Sequence, residues 1–398
     1  MTIAIYTLTS ELHDERAVGA VTQEFLNSLD IAYELKGSDY SDYGNASLDL
    51  IYVRTGGTEG IFRRLLPTLQ QKKRPFYLLT SGKSNSLAAS MEILSYLRQH
   101  DLRGEIIHGS ADYISKRINL LAKAGEALRA LQGCRLGIIG EPSDWLISSH
   151  ADKEVVRQRL GISLIDIPMQ ELLDTMAVTP LRETSEQATA DNIKEALPVA
   201  HQIYDALKTI VKKHELQGFT IRCFDLLTAV HNTGCLTLAK LNAEGIVAGC
   251  EGDVPAMLSM KMAQSLVGVS GFQANPASID PETGEMLFAH CTIPLNMVER
   301  YEFDTHFESG IGVGIRGYMK EGPVTIFKVS GDLTRSFIEE GELVRNQAKA
   351  DLCRTQQVIR LSHPDRTSYF LSDPIGNHHI ILPGHHQDLL EELLNSTN

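Results

Sequence analysis

Apolar positions in the first 130 residues fall into short runs, at Thr2–Leu8, Ile31–Leu35, Leu48–Arg54, Arg74–Thr80 and Gly104–His108. Between them lie amphipathic stretches. In Ser84–His100, Leu87, Met91, Leu94 and Leu97 recur at helical spacing. Strands alternating with helices predict a parallel sheet covered on both faces. Ligands of such sheets sit beyond the carboxyl ends of the strands. Polar loops stand there, at residues 55–60 and 80–86.

A second round of alternation begins with the apolar run Cys134–Gly140. It continues through strands at Ile162–Ile167, Phe219–Phe224 and Ile246–Cys250. Helices are predicted near Ala188–Leu216, Thr233–Glu244 and Val254–Leu266. After about Gly271 helical periodicity gives way to short apolar runs between turn residues, at Met286–Cys291, Val298–Phe303, Ile311–Gly317, Val324–Val329 and Val358–Leu361. A closing helix is predicted at Gln387–Leu394. This texture predicts an antiparallel barrel or closed sheet. The expected division is therefore α/β over residues 1–132, α/β over residues 133–270, and a mainly antiparallel β-barrel domain over residues 271–398.

Composition narrows the function. Fifty acidic against 37 basic residues give a net charge of −13, which argues against an extended nucleic-acid or anionic-membrane surface. The first residues lack a basic secretion leader, and no long uncharged apolar run reads as a membrane span. The six cysteines are scattered without a C-x-x-C pair, as expected of reduced, mostly buried thiols in a cytoplasmic protein.

Three motifs have plainer readings than their chemistry. Gly82-Lys83-Ser84 lacks the upstream glycine of a phosphate loop, because Tyr77 stands there. It reads as a strand-to-helix turn capped by Ser84 or Asn85. Gly312–Gly317 matches G-x-G-x-x-G but is followed by a strand pattern, so it reads as a barrel bend. His290 and Cys291 are strand neighbours expected on opposite faces, which argues against a thiol–imidazole nucleophile.

Three clusters carry more. Glu251 and Asp253 follow an apolar strand, His290 sits within one, and His378-His379 is flanked by isoleucines. One glutamate and two neutral imidazoles suit Mn²⁺, Zn²⁺ or Fe²⁺, provided the fold brings them together.

The stretch from Arg222 to His379 resembles the L-fucose isomerase/L-arabinose isomerase superfamily. The resemblance rests on Arg222-Cys223-Phe224, Leu241–Gly245, Gly249–Asp253, Ala289-His290-Cys291, His306–Gly314 and Gly376–His379, in that order. It implies two Rossmann-like domains and a C-terminal barrel. It also implies aldose–ketose isomerisation of a sugar with a divalent cation, usually Mn²⁺, in a homotrimer or homohexamer with sites at subunit contacts. Glu251 then matches a metal-binding glutamate that also moves a proton, His290 matches one ligand histidine, and either His378 or His379 matches the other. Isomerisation shifts a proton between C1 and C2 through a cis-enediolate, which a chelating cation and a nearby carboxylate promote.

The chain departs from that pattern where a second metal-binding carboxylate is expected. Ala274 or Asn275 stands there, Asn275 being the candidate neutral oxygen ligand or sugar contact. Asp280, Asp253 and the alternating trio Asp304, His306 and Glu308 are the candidate stand-ins. Expected substrate contacts are Arg222, Asn275, His306, Glu308, Asn377 and His378, with Lys83 and Asn85 reaching a neighbouring subunit's sugar. Two alternatives stay open: a non-catalytic sugar-binding or regulatory protein, and another metal-assisted reaction on a sugar or polyol.

Overall fold

A computed structural model describes all residues except Lys73, Thr184, Ser185, Gln187, Thr189 and Asn398. It divides into two compact units, Met1–Arg129 with Glu391–Asn398, and Ala130–Leu390.

The first unit is a parallel sheet of β1 (Ile3–Leu8), β2 (Glu34–Gly37), β3 (Leu48–Val53), β4 (Phe76–Leu79) and β5 (Gly104–Ile107), ordered β2-β1-β3-β4-β5. Side chains alternate across the pleat, so Tyr6, Ile51 and Val53 enter one core while Ile5, Leu50 and Tyr52 enter another. Both faces are therefore buried, as the apolar runs require. The strand expected at Ile31–Leu35 lies a few residues later, as β2. The Gly82 turn is a short 3₁₀ segment at Lys83–Asn85 leading into the helix Ser86–Gln99, with Asn85 at the cap position but without a side-chain capping bond. Lys83 pairs with Glu24 at 3.2 Å.

The second unit holds two sheets. The parallel one has β6 (Arg135–Ile139), β7 (Ser163–Ile167), β8 (Gly218–Ile221) and β9 (Val247–Gly249), ordered β7-β6-β8-β9. The rest of the chain supplies β10 (Phe272–Ile279), β11 (Glu285–His290), β12 (Arg300–Asp304), β13 (Gly314–Tyr318), β14 (Gly322–Val329), β15 (Ser336–Gln347), β16 (Thr355–Leu361) and β17 (His379–Pro383). Six of these close an antiparallel barrel in the order β10-β11-β16-β15-β14-β17, and β12 pairs with β13. Phe272, Ala274, Phe288, Ile326, Phe337 and Ile381 fill one core with Leu197 and Leu236 from flanking helices.

The expected fold class is thus present: parallel-sheet α/β structure followed by a closed antiparallel barrel. The glycine-rich stretch leads into β13, and a Cβ on Gly312 would meet Thr233 at 2.7 Å, which fits the bend reading.

Candidate functional site

Glu251 sits just beyond the carboxyl end of β9. Its turn is tight: Glu251 has φ 63° and Gly252 φ 73°. A Cβ on Gly252 would lie 2.6 Å from the carbonyl oxygen of Glu141, so only glycine fits. The Ser143 amide donates to the Glu251 carbonyl and the Gly252 amide to that of Ile221, at 2.9 Å each. A non-glycine residue held left-handed costs on the order of 1–2 kcal/mol, and such strain concentrates at functional positions.

Two histidines meet this glutamate. His290 ends β11, and His378 immediately precedes β17. Their Nε2 atoms each lie 3.5 Å from Oε1 of Glu251. Strand β10 runs between the two, pairing Asn275 with Ala289 on one side and Ala274 with His379 on the other. Of the sequence-derived set, Glu251, His290 and His378 therefore converge, and His379 does not.

Alternation along β10 and β17 separates the ambiguous pairs. Ala274 enters the barrel core, whereas Asn275 lines the cavity beside Glu251 and His290. His379 packs among Phe337, Tyr369 and Phe370, with its Nε2 3.0 Å from the Tyr369 hydroxyl. Burial pushes its pKa down to about 3. His378 turns the other way.

The hydrogen bonds of the two converging rings leave matching atoms free. Nδ1 of His378 lies 2.9 Å from Oδ2 of Asp253, and Nδ1 of His290 lies 3.2 Å from the Thr292 hydroxyl. Both rings thus use Nδ1 for the protein and aim Nε2 at one carboxylate oxygen. Nε2 of His378 is buried and has no hydrogen-bond partner among the described residues. Imidazoles fixed through one nitrogen, with the other facing a carboxylate, have the donor chemistry of a divalent-cation site. The residues present therefore fit such an ion.

Charges behind the site are balanced. Asp253 caps the helix Val254–Val267, accepting from the Ala256 amide at 2.8 Å. Its two oxygens lie 3.4 Å from Nζ of Lys328, a lysine only 1 % exposed. Burial alone would raise the Asp253 pKa, but Lys328 and His378 outweigh it and bring it to about 2. Burial opposes charge on His378 too, yet Glu251 and Asp253 raise it to about 9. Burial likewise works against the Glu251 carboxylate, and the imidazoles of His378 and His290 hold its pKa far below the usual range.

A cavity of about 50 Å³ opens beside these groups, lined also by Phe224, Thr233, Asn275, His306 and Glu308. Burial lowers the His306 pKa to about 4, so this ring is neutral at pH 7. Asn377 donates to Oδ1 of Asn275 at 3.0 Å. Arg222 adjoins the cavity residue Cys223 but is held by Asp144 at 2.8 Å and Asp225 at 3.1 Å. Asp304 pairs with Arg316 at 2.8 Å. Asp280 is not brought to the cavity: it caps an exposed hairpin turn, accepting from the amides of Glu282 and Thr283. Five residues of strand beyond Asn275 carry it away by roughly 16 Å. His290 ends its strand, so alternation does not separate it from Cys291, and both line the cavity.

Sequence reasoning passed over two participants. The indole N–H of Trp145 donates to Oε2 of Glu251 at 2.7 Å. The available signal was that the chain's single tryptophan falls in a polar loop just past an apolar strand. Lys328 was marked by being a lysine inside the apolar run of β14.

No family model matches the chain. Sulfoquinovose isomerases of Priestia aryabhattai and Priestia megaterium (strain ATCC 12872 / QMB1551) are each 24% identical over 321 residues, spanning 75% of this chain and 72% of the relative. The sulfoquinovose isomerase of Clostridium sp. (strain MSTE9) is 26% identical over 224 residues, 53% of this chain and 48% of its own. These relatives support a sugar isomerase. Among the described residues, no helix is long and apolar enough to cross a membrane.

Proposed function

We propose that the chain is a divalent-cation-dependent aldose–ketose isomerase whose site is built on Glu251, His290 and His378. The observation that carries this reading is the convergence of two Nε2 atoms on one buried carboxylate oxygen, each at 3.5 Å. Glu251, His290 and His378 would hold the cation, with Asn275 supplying a neutral oxygen. A bound divalent ion supplies a Lewis acid that polarises neighbouring sugar oxygens and eases loss of the C–H proton.

The protein's own groups do the rest. Asp253 fixes the His378 ring through Nδ1, and Trp145 fixes the second oxygen of Glu251. Glu251 is ionised and takes the proton that moves between C1 and C2. No carboxylate stands at Asn275, so Glu308 and the neutral imidazole of His306, which both line the cavity, carry hydroxyl protons. The ion would sit in this cavity, with the reacting end of the sugar at its mouth.

The named activity of the relatives makes sulfoquinovose, a sulfonated aldose, the first substrate to test. Arg222, next to the wall residue Cys223, is the cation we assign to an anionic sugar end once it leaves Asp144. A homotrimer or homohexamer is the proposed assembly, and light scattering after gel filtration reads its size.

The test strips the protein with chelator, reloads it with Mn²⁺ and follows ketose formation from sulfoquinovose and unsulfonated aldoses. Conversion that needs the ion supports the reading; no conversion of any sugar with any divalent ion overturns it. Sugar-induced thermal stabilisation without conversion would favour a non-catalytic binder, the reading that the neutral Asn275 supports.

A further inference from the structure

The proposed isomerisation uses no thiol, yet Cys223, Cys235, Cys250, Cys291 and Cys353 all line its cavity. Two of them are placed as a pair. Cys223 follows β8 and Cys250 follows β9, which are neighbours in the parallel sheet. Their sulfurs lie 3.1 Å apart, and both residues are buried. Sγ of Cys250, a carboxylate oxygen of Glu251 and a ring nitrogen of His290 all lie within 4.8 Å of one another.

We propose that Cys223, Cys250, Glu251 and His290 form a site for a thiophilic divalent cation, Zn²⁺ or Cd²⁺, which competes with the harder ion of the sugar site. Two sulfurs, one nitrogen and one oxygen match the donor number of tetrahedral zinc. Thiolates select such ions, whereas imidazole and carboxylate alone accept harder ones. Zinc–sulfur bonds of about 2.3 Å place two tetrahedral sulfurs roughly 3.8 Å apart. The pair must open by less than about 1 Å to reach that spacing, and the Cys223 sulfur, which stands outside the mutual 4.8 Å set of Cys250, Glu251 and His290, must turn toward them on binding. Binding breaks two S–H bonds, forms two metal–sulfur bonds and releases two protons to solvent; nothing is oxidised or reduced. Because Glu251 and His290 belong to both sets, an ion seated on the thiols removes them from the sugar site. The competition rests on the isomerase reading; the metal–thiolate bonds do not.

The test titrates the chelator-treated full chain with Cd²⁺. The expected result is one equivalent bound with an ultraviolet thiolate-to-cadmium charge-transfer band. A ¹¹³Cd resonance at the shift of two thiolate ligands is expected with it. The band is lost in C223S/C250S and retained in C134S and C291S. One equivalent of Cd²⁺ also restores the free-ion electron paramagnetic resonance signal of Mn²⁺ from Mn²⁺-loaded protein. Cadmium bound without the band, a ¹¹³Cd shift showing no thiolate, or a band surviving in the double variant overturns the proposal. The ¹¹³Cd shift is read on the native sequence, so it decides the matter even if the double variant misfolds. A thiolate band in a protein that converts no sugar leaves this site standing and removes only the isomerase reading. Manganese-supported conversion without the band does the reverse.

Discussion

His378 and Asp253 are held together, Nδ1 to Oδ2, at 2.9 Å with neither side chain exposed. That contact leaves His378 one free nitrogen and aims it at Glu251. Asp253 therefore acts on the site through His378. Asp253→Asn weakens this anchor, and such substitutions typically cost about 10–100-fold in metal affinity. Isothermal titration with Mn²⁺ checks the prediction, and unchanged affinity would remove Asp253 from the account.

Glu251→Gln keeps the side chain's volume and its contact with Trp145 while deleting the charge. Turnover should fall below detection while the circular dichroism spectrum stays that of the parent. Parent-like rates would take Glu251 out of the mechanism.

Trp145→Phe keeps a ring against Phe224, which now packs edge-on at 4.7 Å, but removes the donor to Oε2. A hydrogen bond to a charged group contributes about 1.5–3 kcal/mol. Turnover should drop by roughly tenfold or more, with KM for the sugar little changed. Because Trp145 is the only tryptophan, its fluorescence also reports the site directly. Paramagnetic Mn²⁺ should quench it and Mg²⁺ should not; equal responses would place the ion elsewhere.

Lys328→Met leaves Asp253 buried without its cation. Removing one partner of a buried pair costs about 3–5 kcal/mol, so urea unfolding should shift by that order. A shift near zero would mean that His378 alone satisfies Asp253.

Acid provides a separate check on Asp253. Its folded pKa of about 2 lies below the ordinary value of 3.8. A depressed carboxylate stabilises the fold above its unfolded pKa, and that stability is lost as pH falls from about 4 toward 2. Stability should decline more steeply across this window in the parent than in Asp253→Asn. Parallel declines would contradict the shift.

The layered α/β fold was legible because buried parallel strands are continuous apolar runs, as in β1, β3 and β6. Three barrel strands were not, among them the five-residue β17, which opens on His379 and ends on Pro383. Pro276 interrupts β10, and Glu339, Glu340 and Glu342 give β15 the composition of an exposed loop. At the site, residue types and order pointed to Glu251, His290 and the His378-His379 pair. Choosing between the two histidines needed the register that sets Ala274 opposite His379 and turns both into the barrel. Trp145 lies 106 positions from Glu251 in sequence, and no local pattern encodes that contact.

The central claim is that this site moves a proton between C1 and C2 of a sugar. Proton NMR in deuterated water, with Mn²⁺-loaded protein and sulfoquinovose or another accepted aldose, tests it most directly. The account predicts appearance of the ketose together with solvent deuterium at C2 of the recovered aldose, both absent in Glu251→Gln. Ketose formation that persists undiminished in Glu251→Gln, or an aldose left unconverted and unlabelled across the panel, would contradict it.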